Sequence, residues 1–247
     1  MTDSAVGNIE PGGILWGVLQ DPEPHAVVLG ACDAIAASLN GFRYAPSQRH
    51  ATRSRGDWKD LVYFQASVYN RRGRSITLYV GINLRNRHLA RWRKEVRSPV
   101  RTDDWVAGCY LGYLADDGRG AQGWDLLSGS ARAVRDICGR LNADAMPFFA
   151  ACSDLGRFLD LVPTRWLDIF TPPDLFELFL CYGKAEPLDR YLAGLWENRA
   201  EIRDLTIEWL ADGGRLKSRI GVVAPSNYGE ALARLLEHHR MTDRVRA

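Results

Sequence analysis

Two runs of alternating apolar residues between Leu61 and Leu84 constrain the fold of this chain more than any other feature. A period of two gives a strand one apolar face and one polar face. Because only the polar stretch Arg71-Arg72-Gly73-Arg74 separates the runs, the pattern predicts a β-hairpin in which Leu61–Asn70 and Ser75–Leu84 pair antiparallel. The side chains that we expect to be buried on its apolar face include Phe64, Val68, Leu78 and Val80.

Helical periodicity appears on both sides of the hairpin. Between Pro24 and Asn40 the apolar residues recur at spacings of three and four, which predicts an amphipathic helix. A short helix is predicted over Asn86–Val96, and a further strand over Trp105–Leu114. This order of elements predicts an α+β fold, with an N-terminal helix plus an antiparallel sheet that contains the 61–84 hairpin, followed by a mostly helical C-terminal region.

We expect three segments along the chain. Residues 1–23 form a loose leader, residues 24–127 form the α+β domain, and residues 128–247 form a helical region that can pack with it as one unit. The helices predicted in this last region are one capped by Ser130, a short one at Pro147, Ser153–Val162, Pro173–Tyr182, Pro187–Glu197, Ile202–Leu210 and Ser226–Arg240. Gly183 and the Gly213-Gly214 pair are natural helix stops.

Composition narrows the class of protein. With 247 residues, of which 46% are apolar and 25% charged, the chain can bury a sizeable core. No apolar run approaches the roughly 18 residues that cross a bilayer, and the chain does not begin like a signal peptide, so we expect a soluble cytoplasmic protein with no membrane partner. The five cysteines are widely spaced and form no Cys-x-x-Cys pair, which predicts reduced, structural thiols and neither a metal nor another cofactor.

The sequence contains no recognised catalytic motif in a suitable structural context. The string Gly118-Arg119-Gly120-Ala121-Gln122-Gly123 fits Gly-x-Gly-x-x-Gly, but it lies in a predicted turn and does not open a helix after a parallel strand. Carboxylates occur at Asp103-Asp104, Asp116-Asp117 and Asp125, each in a predicted turn. An enzyme that uses dispersed carboxylates therefore stays a third alternative, and we predict no catalytic residue.

Charge is distributed unevenly along the chain. Residues 43–101 contain 15 Lys and Arg against three acids, a net charge of +12, so the rest of the chain carries −10. Such asymmetry can attract an acidic partner or a polynucleotide, although solvation or internal ion pairing is the commoner reason for it. The arginines that we predict to form one positive surface are Arg71, Arg72, Arg74, Arg85, Arg87, Arg91 and Arg93.

The polar face of the hairpin carries Tyr63, Gln65 and Tyr79. Tyrosines near arginines can stack on bases or recognise a protein, but more commonly such residues are covered by a helix or pair across the strands. Our hypothesis is a non-enzymatic binding or regulatory protein, similar in role to an immunity protein, whose basic sheet face engages an acidic protein partner. The alternative is a nucleic-acid-associated protein, and the oligomeric state is left open.

Four motifs follow one another along the chain: Leu39-Asn40-Gly41-Phe42-Arg43, Phe64-Gln65-Ala66-Ser67-Val68-Tyr69-Asn70, Ile76-Thr77-Leu78-Tyr79-Val80-Gly81-Ile82, and Tyr110-Leu111-Gly112-Tyr113-Leu114 with Trp124. In these motifs, residues 24–127 resemble the bacterial domain-of-unknown-function family 4304. The resemblance implies an α+β domain. That family carries no established activity, so the resemblance implies no catalytic residue.

Overall fold

The computed structural model of the protein describes residues 23–115, 120–212 and 227–245. Several sequence features fall outside these residues: the leader up to residue 22, the Asp116-Asp117 pair, the start of the glycine string at residues 118 and 119, the Gly213-Gly214 stop and the Ser226 cap.

One antiparallel sheet contains the strands of the described residues. Its strands are β1 (Arg43–Ala45), β2 (His50–Arg55), β3 (Trp58–Ala66), β4 (Thr77–Asn86), β5 (Trp105–Tyr110) and β6 (Gly123–Asp125). The order is β1-β2-β3-β4-β5, and β6 pairs with the beginning of β4, next to β5. The strands β1 to β4 are neighbours in the order of the chain, which makes this sheet a meander over most of its width.

The predicted hairpin is confirmed as the pair β3 and β4, whose register runs from Trp58 opposite Asn86 to Ala66 opposite Leu78. Phe64, Leu78 and Val80 are buried as expected. The prediction for Val68 is wrong, since its side chain is 87% exposed. The physical reason is that the strands end at Ala66 and Thr77, and a ten-residue loop, residues 67–76, replaces the short turn.

The described residues contain ten helices, and eight of them follow the last strand. They are α1 (Pro24–Ala37), α2 (Arg87–Glu95), α3 (Ser130–Arg140), α4 (Met146–Cys152), α5 (Phe158–Leu161), α6 (Thr164–Leu167), α7 (Pro172–Cys181), α8 (Ala185–Asn198), α9 (Ala200–Ala211) and α10 (Tyr228–His238). A π-helical turn, Leu141–Ala145, joins α3 to α4. Helices concentrated after the strands confirm the predicted α+β class.

Several predicted boundaries differ from the structure for local reasons. The helix predicted over Ser153–Val162 is reduced to the single turn of α5, because Ser153 ends α4 and its hydroxyl donates to the backbone oxygen of Ala150. Ser130 is the first residue of α3 and not its cap, a position that Gly129 occupies. The strand predicted over Trp105–Leu114 ends at Tyr110, since a 3-10 turn follows.

The α2 helix shows how sequence dictates a local boundary. The Asn86 side chain accepts a hydrogen bond from the backbone N–H of Leu89 at 2.8 Å, which satisfies a donor that the first helical turn leaves free. Asn86 is also the last residue of β4, so the chain passes from strand to helix without a loop. The helix therefore begins directly at the end of a central strand of the sheet.

Candidate binding surface

The sheet has two faces that differ in what covers them. From one face, Arg55 donates to the backbone oxygen of Phe149 in α4, and the Trp124 indole donates to Asp136 in α3. We call this the closed face, and its central side chains, including Phe64 and Val80, are buried. The opposite side is the open face, which carries Arg43, His50, Lys59, Leu61, Tyr63, Gln65, Tyr79, Asn83, Arg85 and Tyr110.

The contacts of the open face stay within the sheet. In the described part of the chain, the hydrogen bonds and ring contacts of its side chains go to neighbouring strands and to the loops that flank them. By contrast, the closed-face residues Trp58 and Asn86 both contact Tyr182 at the end of α7. The helices of the described residues therefore cover one side of the sheet, and none of them forms a layer over the open face.

Three tyrosines form the centre of the open face. The ring of Tyr110 lies 6.3 Å from that of Tyr63 and 5.8 Å from that of Tyr79, measured between centroids. The Tyr110 hydroxyl donates to the side-chain oxygen of Gln65 at 3.0 Å. Three adjacent strands, β3, β4 and β5, thus each contribute one ring to a single aromatic cluster, which we call the tyrosine cluster.

A glycine makes room for this arrangement. A Cβ atom added at Gly81 would lie 2.1 Å from the Cζ atom of Tyr63, so the Tyr63 ring lies across the backbone at a position where no other residue fits. Similarly, a Cβ added at Gly123 would lie 3.1 Å from the Tyr79 ring. The tyrosines consequently lie low over the sheet instead of standing upright from it, and they form a broad surface.

Basic groups flank the tyrosine cluster. Lys59 lies directly opposite Arg85 in the register of β3 and β4, and like charges in that position repel each other. Arg85 has an ion pair with Asp104 at 3.4 Å. Burial, and then the charges of Lys59 and Arg85, lower the pKa of His50 below its usual value. This end of the open face therefore favours a negative charge.

The structure separates the seven arginines that were predicted to form one surface. Arg85 lies on the open face, and Arg71, Arg72 and Arg74 lie in the 67–76 loop. Arg87 and Arg91 lie on α2, where they bond the backbone oxygen of Gly56 and the carboxylate of Asp57. Arg93 is completely buried. The prediction that all seven contribute to one surface is therefore wrong for Arg93, and Tyr63, Gln65 and Tyr79 share the open face.

Arg93 belongs to an ion-pair network inside the protein. Its guanidinium donates to Glu177 at 2.7 Å, to Asp174 at 2.6 Å, and to the backbone oxygen of Trp105 at 2.9 Å. Burial raises the pKa of both carboxyl groups, and the nearby guanidinium opposes that rise. Because the three partners lie on α7 and β5, the Arg93 side chain fixes α2 to the rest of the core.

The burial of Arg93 was not predicted, although the sequence contains a signal for it. Leu89, Arg93 and Val96 lie at spacings of four and three, so Arg93 occupies the apolar stripe of its helix. Asp174 and Glu177 likewise interrupt an otherwise apolar helix. Charged residues at buried positions require partners of opposite charge. Because Arg93, Asp174 and Glu177 all occupy apolar positions of their helices, the sequence could have suggested that they pair with one another.

A second network neutralises further charge on the closed face. Asp60 is fully buried, and it accepts hydrogen bonds from Arg53 at 2.9 Å and from Arg55 at 2.8 Å. Arg101 outside this network pairs with Asp174 at 3.1 Å. Buried carboxylates therefore compensate part of the positive charge of residues 43–101, which is the internal pairing that the sequence left open.

Burial keeps several cysteine thiols protonated, and the carboxylates of Asp103 and Asp125 are bonded within the protein. The cysteines are free thiols, as predicted, and burial raises the pKa of Cys32, Cys109 and Cys181 to about 12, so these thiols are protonated at neutral pH. Asp103 pairs with Arg101, and the Asp125 carboxylate accepts the backbone N–H of Leu127. Among the described residues, no group of three or more metal-ligating side chains converges.

An open groove of about 450 Å³ lies beside the π-helical turn, lined by Arg135, Asp136, Arg140 and Asp144 among others. The Asp136 carboxylate in this groove already accepts the Trp124 indole N–H at 2.8 Å. It thus holds β6 to α3, and we assign the groove no ligand.

No protein-family model, curated protein or solved structure matches the chain. The resemblance to family 4304 stays a prediction. No helix in the described residues has both the length and the apolar character that crossing a membrane requires.

Proposed function

We propose that the protein is a non-enzymatic binding protein, with an immunity-like or regulatory role, that engages an acidic protein partner through the open face. The observation that carries this proposal is the tyrosine cluster on a sheet face that no described helix covers. Large rigid side chains such as tyrosine supply much of the binding energy at protein interfaces. The family 4304 resemblance is compatible with this role and adds no activity to it.

The charges of the open face support an acidic partner. Its basic residues are Arg43, Lys59 and Arg85. Asp104 pairs with Arg85, and a second acid, Asp125, lies on β6 opposite Thr77. Asp125 also accepts hydrogen bonds from its own turn, so its charge is partly satisfied. A carboxylate from a partner would meet an electrostatically complementary surface near Lys59, and such complementarity favours specificity and fast association.

A nucleic-acid partner is the second candidate, and one observation favours it. The rings of Tyr63 and Tyr79 lie across glycine positions, which leaves a surface on which bases can stack. Against this, binding to a polynucleotide draws on several uncompensated cations along its path, and most arginines between residues 43 and 101 that lie near the sheet are paired. We therefore favour the protein partner.

The test compares Tyr79→Ala and Lys59→Glu with the wild type in capture from nuclease-treated lysate of the cells that express the protein. Lys94→Glu is the matched control, because Lys94 is exposed on α2, away from the open face. We expect both open-face variants to lose an acidic protein, identified by mass spectrometry, while the control retains it. Equal capture by folded variants would contradict the proposal. Capture that occurs only from untreated lysate, and that falls steeply with added salt, would replace it by the nucleic-acid function.

A further inference from the structure

The loop between β3 and β4, residues 67–76, carries the most exposed large apolar side chains of the described protein. Val68 is 87% exposed and Tyr69 is 77% exposed. The next most exposed large apolar side chain, Tyr113, reaches 51%. Single exposed apolar residues are ordinary, but here two consecutive ones, at the start of the loop and before the turn that the Arg71–Ser75 bridge closes, are exposed to water.

Internal hydrogen bonds hold this loop in its conformation. The Asn70 side chain donates to the backbone oxygen of Thr77 at 3.0 Å and accepts from its N–H at 2.7 Å. The backbone N–H of Arg71 donates to the oxygen of Ser75 at 2.9 Å, and Gly73 has a φ of +64° that suits glycine. The exposure of Val68 and Tyr69 is therefore a property of an ordered loop, and ordering it again on binding costs little entropy.

The charged residues that neighbour the two apolar residues in the sequence are all positive. No acidic residue occurs between Asp60 and Glu95, whereas Arg71, Arg72 and Arg74 follow Tyr69 closely. Arg72 pairs with Glu23 at 3.0 Å. Arg71 and Arg74 are exposed, and within the described residues they have no ion pair. An apolar pair beside uncompensated guanidinium groups is complementary to an apolar pocket rimmed by carboxylates.

The loop also continues the open face. It begins directly after Ala66, the last residue of β3, and it ends directly before Thr77, the first residue of β4. Gln65 and Tyr79 of the open face therefore lie within three residues of its ends. A partner that contacts the tyrosine cluster at its Gln65 end can thus contact the loop as well.

From this geometry we propose that the 67–76 loop is the anchor of the interface, which inserts Val68 and Tyr69 into an apolar pocket of the acidic partner while Arg71 and Arg74 pair with carboxylates at its rim. The inference rests on the proposed function for the nature of the partner. The inference names the part of the surface that enters the partner. It also predicts that shortening a side chain in the loop weakens binding more than shortening one elsewhere on the interface.

The experiment places the photo-reactive residue p-benzoylphenylalanine at position 69, or at position 207 as a control. Ile207 is 40% exposed on α9, in the helical region. We expect irradiation to cross-link one acidic protein to position 69 and not to position 207. With that protein purified, Tyr69→Ala and the double variant Arg71→Glu with Arg74→Glu should each weaken the Kd at least tenfold, and Ile207→Ala should leave it unchanged.

The outcomes separate this inference from the proposed function. If the open-face variants lose the partner while the loop variants bind it normally, the anchor is wrong and the proposed function stands. If only the loop variants lose it, the anchor stands and the open face is not the interface. If neither set loses it, both proposals fail.

Sedimentation with lipid vesicles tests whether the loop binds an anionic membrane, which an apolar and basic loop can also contact. Vesicles of phosphatidylcholine and phosphatidylglycerol in a ratio of 7:3 are sedimented with the wild type and with Tyr69→Ala. We expect no co-sedimentation. Binding to these vesicles that requires Tyr69 would overturn the protein partner in favour of an anionic lipid surface.

Discussion

The side chains of Phe64 and Tyr63 are neighbours in β3, yet they meet different surroundings. Phe64 lies on the closed face, where helices bury it to 4% exposure, and Tyr63 lies on the open face among other tyrosines. Strand alternation alone produces this contrast, because successive side chains point to opposite sides of the sheet. The comparison teaches that the closed face supplies the stability of the fold, and that the open face is free of that requirement and can be specialised for recognition.

The two faces also differ in how they treat charge. On the closed side, the carboxylates of Asp60, Asp174 and Glu177 are buried, and arginines compensate each of them. On the open side, Lys59 faces Arg85, and no described acid pairs with Lys59. The net charge of a sequence segment is therefore a poor guide to its surface, because the paired part lies inside and only the remainder is available to a partner.

Removal of a buried charge partner should produce the largest effect on stability. Arg93→Met leaves Asp174 and Glu177 buried without their main compensating charge, and we expect a loss of about 3–5 kcal/mol in the free energy of unfolding. The loss should be smaller at pH 5 than at pH 8, because carboxyl groups whose pKa is raised take up protons as the pH falls, and the charge disappears. Urea unfolding at both pH values measures this.

Arg93→Met combined with Asp174→Asn and Glu177→Gln is the control for that experiment. It removes the stranded charges, and we expect it to recover part of the stability at pH 8. A single variant as stable as the wild type at pH 8 would show that the network contributes nothing to the closed side.

Loss of an aromatic side chain on the closed face should come next. We expect Phe64→Ala to cost about 3 kcal/mol, at the low end of the usual range, since the half-buried Tyr44 ring that contacts Phe64 can shift into part of the cavity. Gln65→Ala, one residue along and on the open face, should change stability by less than about 0.5 kcal/mol. Similar losses for the two variants, measured by urea unfolding, would remove the contrast between the faces.

The sequence predicted the hairpin because strand alternation is a local property. Ile82 and Leu84 lie on the same face whichever helix covers them, so the antiparallel pairing of the two runs and the α+β class followed from the pattern, whereas the register was not predicted. The prediction that Val68 is buried failed because the place where a strand ends depends on a side-chain contact. Asn70 bonds both backbone groups of Thr77, and this contact ends the pairing early.

The open face could be predicted only in part, for a different reason. Tyr63, Gln65 and Tyr79 followed from alternation within one hairpin. Tyr110 completes the cluster from β5, and its position depends on a long-range register that the sequence does not specify. The arginines were harder still, because ion pairs between segments about 80 residues apart, such as Arg93 with Asp174, decide whether a charge is inside or outside.

Alkaline pH should produce a moderate effect that involves both faces. Burial raises the pKa of Tyr44, on the closed face, and of Tyr63, on the open face, to about 12. Above pH 10 the unfolded chain ionises these phenols while the folded protein resists, so the stability that both groups contribute below pH 10 should fall as the pH rises towards 12. Urea midpoints between pH 9 and pH 11.5 test this.

The phenylalanine variants separate the two contributions to that fall. Tyr44→Phe and Tyr63→Phe should each make the decline in stability with pH less steep. If Tyr63→Phe had no effect, the Tyr63 hydroxyl would be as accessible to water as an ordinary surface group, and the open face would be looser than its ring contacts indicate.

The smallest effect is expected at the centre of the tyrosine cluster. Tyr110→Phe keeps the ring between Tyr63 and Tyr79 and removes only the hydroxyl that donates to Gln65. Because water can replace this partner at an exposed hydrogen bond, we expect a loss of about 0.5 kcal/mol or less in the free energy of unfolding. Calorimetry should show the Tm nearly unchanged. A loss near 2 kcal/mol would mean that Gln65 is left unsatisfied in a dry environment, and the open face would then have to be covered in the folded protein.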